Sequence, residues 1–240
     1  GKSGTDVAKN AADMILTDDN FATIVKAVEQ GRGIYDNIRK AVHFLLGTNI
    51  GEILAVFIAS ILGFSTPLLP IQLLWVNLVT DSLPAIALGT EKTEKNIMLR
   101  KPLPPSHGFF ADGLWFDITL EGALVGALTL LAHAIGNFVF GGVGGTMAFC
   151  TLSFCEISHA INTRSSQSLL RTGVFSNKIM NVAVAVCVAL QAAVVCIPPL
   201  SALFGTVPLN AIQWLVVGAL SSMPLVMGEI GKLFSKKSEY

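Results

Sequence analysis

One apolar stretch, Pro70–Gly89 (PIQLLWVNLVTDSLPAIALG), constrains the fold of this chain more than any other. It is long enough to cross a bilayer as a helix, yet Asn77, Thr80 and Asp81 lie in its middle and Pro84 follows them. Positions three and four apart share one face of a helix, so these oxygen-bearing side chains are expected to point the same way. Because proline has no N–H group, the carbonyl four residues before Pro84 loses its helical hydrogen bond.

A carboxylate in the middle of a membrane span needs a compensating partner. On insertion scales such a group costs about 2.5–3.5 kcal/mol. Oxygen ligands beside an interrupted helix are a way in which membrane proteins hold hard cations. The stretch around Asp81 therefore predicts a cation site; the alternative is a proline-kinked packing helix with one isolated acid.

The composition predicts an α-helical membrane protein, a bundle of six transmembrane helices. Hydrophobic residues make up 52% of the 240 residues and charged residues only 13%, well below the share of about a quarter that is usual for soluble domains. Six segments are long and apolar enough to span: Ala41–Gly63, Leu68–Thr90, Leu114–Phe140, Met147–Thr163, Ile179–Leu200 and Ala211–Phe234.

The basic residues predict the orientation of the spans. All sixteen Lys and Arg residues lie before the first span, in loops 91–112 and 164–178, or after Ile230, and the three other loops contain none. Positive residues mark the cytosolic side of a membrane protein. Both termini and the two basic loops are therefore predicted to be cytosolic, and no nucleic-acid partner is expected.

The first 40 residues are predicted to lie outside the membrane. Residues 13–18 (DMILTD) are interpreted as a short strand, and Asp19 or Asn20 as the cap of a helix that begins at Phe21. The apolar spacing of this helix continues into the first span, so it is expected to connect cytosol and bilayer mechanically. The opening residues GKSGTDVAKN contain no initiator Met and no signal peptide, which suggests a piece of a longer protein.

Two further acids lie deep within the spans, away from their predicted cytosolic ends. Glu52 follows Asn49 by three residues in NIGE, so both are predicted to lie on one face of the first span, while Glu156 lies in the fourth span within CEISHAIN. No Lys or Arg accompanies these acids at that depth. The acids must therefore be neutralised by protons or by a cation. His159 is expected to be a hydrogen-bonding neighbour rather than a ligand.

The four cysteines, all within predicted spans, are expected to be packing residues. Their spacing matches neither a zinc site nor a disulfide framework.

The chain resembles the P-type ATPases of the calcium-pump branch, most clearly over residues 4–101. The resemblance rests on GTDVAKNAADMILTDDNF, NIGE and NLVTD. It implies that residues 1–40 end the phosphorylation domain and form a stalk, and that residues 41–240 form the fifth to tenth membrane helices. The implied cation ligands are Asn49 and Glu52 on the fifth helix, Asn77, Thr80 and Asp81 on the sixth, and Glu156 on the eighth.

The resemblance also implies a function, the membrane transport half of an ATP-driven Ca²⁺ pump with proton countertransport. Glu52 favours the type that carries two calcium ions. The chain lacks the DKTGT and GDGxND motifs of the family, so no catalytic or cofactor-binding residue is assigned and this chain alone is expected to be inactive. ATP and Mg²⁺ would serve only the full-length pump.

The expected partners are the N-terminal part of the same pump and the lipid bilayer, in a monomeric multi-pass protein of a prokaryotic plasma membrane. Alternatives remain open: a pump for Na⁺ or Mn²⁺, or a six-span channel or exchanger without ATPase activity. A structural membrane subunit would leave three buried acids unexplained.

Overall fold

The computed structural model describes residues 1–94, 96–104 and 106–234, and all regular structure in those ranges is helical. Lys95 and Pro105 of the predicted loop 91–112, and residues 235–240 of the predicted domain 41–240, lie outside them. The helices are α1 (Asp6–Asn10), α2 (Phe21–Ile61), α3 (Pro70–Trp75), a π-helix (Val76–Asp81), α4 (Ser82–Gly89), a 3-10 turn (Ile97–Leu99), α5 (Leu114–Phe138), α6 (Gly144–Thr163), α7 (Leu169–Thr172), α8 (Lys178–Cys196), α9 (Pro198–Phe204) and α10 (Ala211–Phe234).

The stalk and the first predicted span form one continuous helix, α2, of 41 residues. Asn20 is its N-cap and accepts a hydrogen bond from the N–H of Ala22 at 3.0 Å, as the sequence predicts. Just before it, hydrogen bonds from the Thr23 hydroxyl and the Asn20 N–H hold the pKa of Asp18 below its usual value.

The predicted strand at residues 13–18 is wrong, because these residues form bends and irregular structure. Its apolar side chains Met14 and Ile15 are 52% and 47% exposed. A strand needs a neighbouring strand to satisfy its backbone groups, and none occurs within the described part of the chain.

The second predicted span is not a regular α-helix. Its middle, Val76–Asp81, winds as a π-helix between α3 and α4, a local form that is frequent at functional sites. In this register the Val79 carbonyl would pair with the nitrogen of Pro84, which has no hydrogen to donate. That carbonyl accepts hydrogen bonds from the Ser82 N–H and, at 3.5 Å, from the Cys187 thiol on α8. The sequence predicts an interruption here, and the interruption takes the form of a widened turn.

Five helical segments are long and apolar enough to cross a membrane: Phe21–Ile61, Pro70–Gly89, Leu114–Phe138, Lys178–Cys196 and Ala211–Lys232. The fifth predicted span is shorter than expected, because α8 ends at Cys196 and a new helix, α9, begins at Pro198.

The helix α6, which corresponds to the fourth predicted span, is not among these five. It lies at the centre of the bundle, in contact with α2, α5, α8 and α10, and 15 of its 20 residues are buried. A helix that neighbouring helices cover on most sides meets little lipid, so a polar sequence is tolerated there.

Glycines bring α2 and α5 into close contact. A Cβ atom added to Gly122 would lie 2.7 Å from the Gly47 carbonyl oxygen, and one added to Gly126 would lie 2.9 Å from that of Gly51. Gly47 and Gly51, like Gly122 and Gly126, are four residues apart, the spacing of close helix packing in membranes. This close packing holds α2, the helix that carries Glu52, against α5.

Buried polar contacts fasten the predicted cytosolic ends of the helices. Arg164, 1% exposed, follows α6 and donates from Nε to Glu91 Oε2 at 3.0 Å. The Asn37 amide on the stalk donates to the carbonyls of Gly89 and Glu91 at 3.3 and 2.7 Å. The end of α4 is thereby attached to both α2 and α6.

Candidate cation site

The carboxylates of Glu52, Asp81 and Glu156 meet between α2, the π-helix and α6. All three side chains are buried, with 7%, 2% and 0% of their surface exposed. They lie near enough that each, when ionised, repels a neighbour in the set. The fold thus places the three acids between the same three helical segments, and their role as cation ligands stays a prediction.

Asn77 joins the first two helices of the site. Its Nδ2 group donates to both carboxylate oxygens of Glu52 at 2.9 Å, and to the Leu73 carbonyl at 2.9 Å. An amide that presents its nitrogen to a carboxylate must rotate to offer its oxygen to a cation. Asn77 thus lies next to Glu52, and rotation of its amide group would turn the side-chain oxygen towards a bound cation.

Two threonine hydroxyls contact the other two acids. The Thr80 hydroxyl lies 3.0 Å from Glu156 Oε2 and 3.0 Å from the Val76 carbonyl. The Thr48 hydroxyl lies 3.0 Å from Asp81 Oδ2 and 3.0 Å from the Leu45 carbonyl. Each threonine therefore joins a carboxylate to the backbone of its own helix.

The Thr48 contact was missed from the sequence. The residue stands one position before Asn49 in GTNIGE, and a threonine inside an apolar helix commonly bonds to its own backbone. Its four-residue spacing from Glu52 was the available signal, since that spacing places both on one helix face.

Asn49 is oriented differently from the other predicted ligands. It is only half-buried, and its Nδ2 group donates to the Leu45 carbonyl of the same helix at 2.6 Å. No hydrogen bond between Asn49 and the three acids is present among the described residues. Its role as a ligand stays a prediction.

Two carboxylate oxygens of the cluster have no hydrogen-bond partner. These are Asp81 Oδ1 and Glu156 Oε1, both buried. An unpartnered buried carboxylate oxygen is costly and requires an explanation, such as a proton or an ion. A hard cation that takes about six to eight oxygen ligands could use these atoms together with the neighbouring amide and hydroxyl oxygens.

His159 does not hydrogen-bond to the acids, although the sequence predicts a hydrogen-bonding neighbour. Its Nε2 atom has no hydrogen-bond partner and lies 3.6 Å from Glu121 on α5. Its ring packs against those of His43 and Phe44. His133, the histidine of α5 itself, is buried nearer the other end of that helix than Glu121 is.

Carboxylates buried between membrane helices are typical of proteins that conduct or transport ions. The family described as "Cation transporting ATPase, C-terminus" matches residues 65–234, and the chain belongs to this family. It is the membrane part of a cation-transporting ATPase.

Named relatives agree with this assignment. The chain is 42% identical over 255 residues to Calcium-transporting ATPase 1 of Bacillus cereus, covering 98% of the chain and 29% of that protein. It is 41% identical over 243 residues to Calcium-transporting ATPase of Bacillus subtilis, covering 99% of the chain and 27% of that protein. It is 40% identical over 233 residues to Calcium-transporting ATPase 1 of Lactococcus lactis subsp. lactis, covering 96% of the chain and 26% of that protein. The chain thus spans less than a third of the length of each relative.

These matches confirm the resemblance to P-type ATPases of the calcium-pump branch, and the helical bundle agrees with the predicted fold class. The count of six spans, the division of the chain at residue 40 and the ligand roles of individual residues stay predictions.

Proposed function

We propose that this chain is the transport half of an ATP-driven Ca²⁺ pump, and that Ca²⁺ binds among Glu52, Asp81 and Glu156. Asn49, Asn77 and Thr80 would supply the neutral oxygens. The observation that carries the proposal is the meeting of three buried carboxylates from three helical segments without a basic side chain among them. In the described part of the chain, no ion pair includes any of the three.

The hydrogen bonds of the threonines support proton countertransport. A hydroxyl group has one hydrogen, yet Thr80 is within hydrogen-bond distance of both the Val76 carbonyl and Glu156 Oε2. Both contacts can be full hydrogen bonds when Glu156 carries a proton and donates it to Thr80, while the Thr80 hydroxyl donates to the Val76 carbonyl. Thr48 stands in the same relation to the Leu45 carbonyl and Asp81. This arrangement supports the proposal that the acids hold protons when no Ca²⁺ neutralises them.

The choice of Ca²⁺ rests on the donor set and on the relatives. Carboxylate, amide and hydroxyl oxygens suit a hard cation with flexible coordination, and the relatives above are named calcium-transporting ATPases. Na⁺ and Mn²⁺ remain the competing ions, and both can be tested in the same assay.

ATP hydrolysis would depend on the remainder of the pump. Phosphoryl transfer requires a positioned acceptor and Mg²⁺, and the motifs that supply them in the family are absent from these 240 residues. We therefore propose the N-terminal part of the same pump as the partner of this chain, within a monomer in a prokaryotic plasma membrane. Both termini of the chain would face the cytosol.

The decisive experiment changes Asp81 to Asn in the full-length pump. Asp81→Asn should abolish Ca²⁺-dependent phosphorylation by ATP, because the substitution removes a charge that compensates the ion. Phosphorylation by inorganic phosphate in the absence of Ca²⁺ should persist, since that reaction needs no ion at this site. Asp117→Asn on α5 is the matched control; Asp117 is half-buried and takes part in none of the contacts of the site.

Three results would contradict the proposal. Unchanged Ca²⁺ activation in Asp81→Asn would make the cluster structural. Activation of the unmodified pump by Na⁺ or Mn²⁺ but not by Ca²⁺ would assign the site to another ion, and ion flux without ATP would favour a channel or exchanger.

A further inference from the structure

A second group of possible metal ligands lies nearer the predicted cytosolic end of the bundle. It consists of His43 on α2, Glu121 on α5 and His159 on α6. One ligand atom from each residue lies within 4.8 Å of the other two. The three residues come from three different helices, so the group exists only in the folded bundle.

The contacts inside this group are short but incomplete. His43 Nε2 lies 2.6 Å from Glu121 Oε2, which is a hydrogen bond. His159 Nε2 lies 3.6 Å from the same oxygen, too far for a hydrogen bond. His159 is 2% exposed, and its Nε2 atom has no hydrogen-bond partner. A buried ring nitrogen that points at a carboxylate without a bond to it is unsatisfied, and a ligand would satisfy it.

From this arrangement we propose that His43, Glu121 and His159 form a binding site for a borderline divalent metal ion such as Zn²⁺. Two imidazoles and one carboxylate are a known zinc donor set, with ligand distances of about 2.0–2.2 Å and a fourth position open to water. In the tetrahedral geometry of such a site two ligand atoms lie about 3.5 Å apart, so rotations of these side chains would have to bring the three atoms closer together.

The chemistry of this site differs from that of the three acids. Ca²⁺ prefers oxygen ligands, whereas nitrogen ligands favour Zn²⁺ and its neighbours in the first transition series. The two sites are therefore expected to select different ions, although His159 and Glu156 are only three residues apart on α6. The inference does not depend on Ca²⁺ being the transported ion.

The neighbours of this group are Gly47 on α2 and Lys232 on α10. Gly47 on α2 faces His159, since a Cβ atom added there would lie 3.2 Å from His159 Nε2. Lys232 on α10 is close enough for its charge to act on Glu121. Its ammonium group donates to the Asn162 carbonyl and to Glu229 instead, at 2.7 and 3.0 Å. The Glu121 carboxylate is thus shared only by the two histidines among the described residues.

Zn²⁺ binding by the full-length protein tests the proposal. The protein is purified through a tag without histidine, stripped with a chelator and titrated with Zn²⁺ in excess Ca²⁺, which competes for sites made only of oxygen ligands. The unmodified protein should bind one equivalent of Zn²⁺ through this site. His43→Gln, Glu121→Gln and His159→Gln should each lower the affinity by about tenfold or more, since even the loss of an outer-shell partner costs about 10–100-fold.

Three control variants have defined expectations. His133→Gln changes a buried histidine on α5 that is not part of the proposed site, and His107→Gln changes a histidine in the loop before α5. Cys196→Ser removes the exposed thiol, which could bind Zn²⁺ on its own. None of these should change the high-affinity equivalent. Loss in a control but not in the three ligand variants would overturn the proposal.

A second measurement does not depend on how well the variants fold. Cu²⁺ prefers the same kind of site, and pulsed electron paramagnetic resonance counts the imidazoles bound to it. The unmodified protein should show two coordinated imidazoles. One or none, or the absence of stoichiometric Zn²⁺ binding in the titration, would show that the group is only a hydrogen-bonded cluster.

Discussion

The Thr80 hydroxyl lies 3.0 Å from Glu156 Oε2, which connects the π-helix of the second span to the central helix α6. The other Glu156 oxygen has no partner. Glu156 is fully buried, so this hydroxyl is the main polar group that positions it. Ion binding at Glu156 and the winding of the π-helix are therefore expected to depend on each other.

The first prediction concerns this contact. Thr80→Val keeps the shape of the side chain but removes the hydroxyl, and a hydrogen bond to a charged group contributes about 1.5–3 kcal/mol. We expect the apparent Ca²⁺ affinity of the full-length pump to fall by about tenfold or more. The measurement is the Ca²⁺ dependence of ATP hydrolysis. Thr80→Ser, which retains the hydroxyl, should stay within a few-fold of the unmodified pump; equal losses in both variants would assign the effect to packing.

The second prediction is that Glu156 carries a proton in the absence of Ca²⁺. Infrared difference spectroscopy should show a protonated carboxyl band that disappears when Ca²⁺ is added, because ion and proton compete for the same oxygens. Glu156→Gln should remove part of this band, whereas Asp117→Asn should leave it unchanged. A Ca²⁺-induced difference spectrum without any carboxyl component would contradict proton exchange at these acids.

The sequence predicted the acids of the site better than their hydrogen bonds. Glu52, Asp81 and Glu156 could be identified because a carboxylate in an apolar span requires a partner. Thr48 could not be separated from ordinary threonines that bond to their own helix. The direction of the Asn49 side chain depends on which helix covers that face, and no local pattern contains this information.

Helix bounds, too, were predicted well where local sequence signals determine them and poorly where contacts distant in the sequence do. The bounds of α10 and the single helix α2 agree with the predictions, since apolar periodicity and an N-cap are local signals. The π-helix was predicted only as an interruption near Pro84, because the missing proline N–H indicates a broken hydrogen bond but not the winding that replaces it. The strand at residues 13–18 was wrong, because local residue preference cannot supply a pairing partner.

The third prediction concerns topology and follows from the distribution of Lys and Arg. In a background without cysteines, Gln167→Cys in the loop between α6 and α8 should react with a membrane-impermeant reagent added from the cytosolic side. Val139→Cys, after α5, should react only from the other side. Both positions are exposed. Cytosolic labelling of Val139→Cys would reverse the orientation.

The last prediction concerns the contact between α2 and α5. Gly122→Ala places a methyl group 2.7 Å from the Gly47 carbonyl oxygen, and this backbone atom cannot move unless the helices separate. Overpacking of this kind costs about 1–3 kcal/mol. The variant should therefore unfold at a lower temperature, as followed by a dye that reacts with the buried thiols of Cys150, Cys155 and Cys187 when they become exposed.

Gly218→Ala is the matched control, because its Cβ atom meets nothing within 4 Å and alanine favours the helix by about 1 kcal/mol. Since α2 carries Glu52 and His43 and α5 carries Glu121, separation of the two helices should also weaken Ca²⁺ and Zn²⁺ binding together. An unchanged unfolding temperature in Gly122→Ala would mean that the two helices are not held as closely as described.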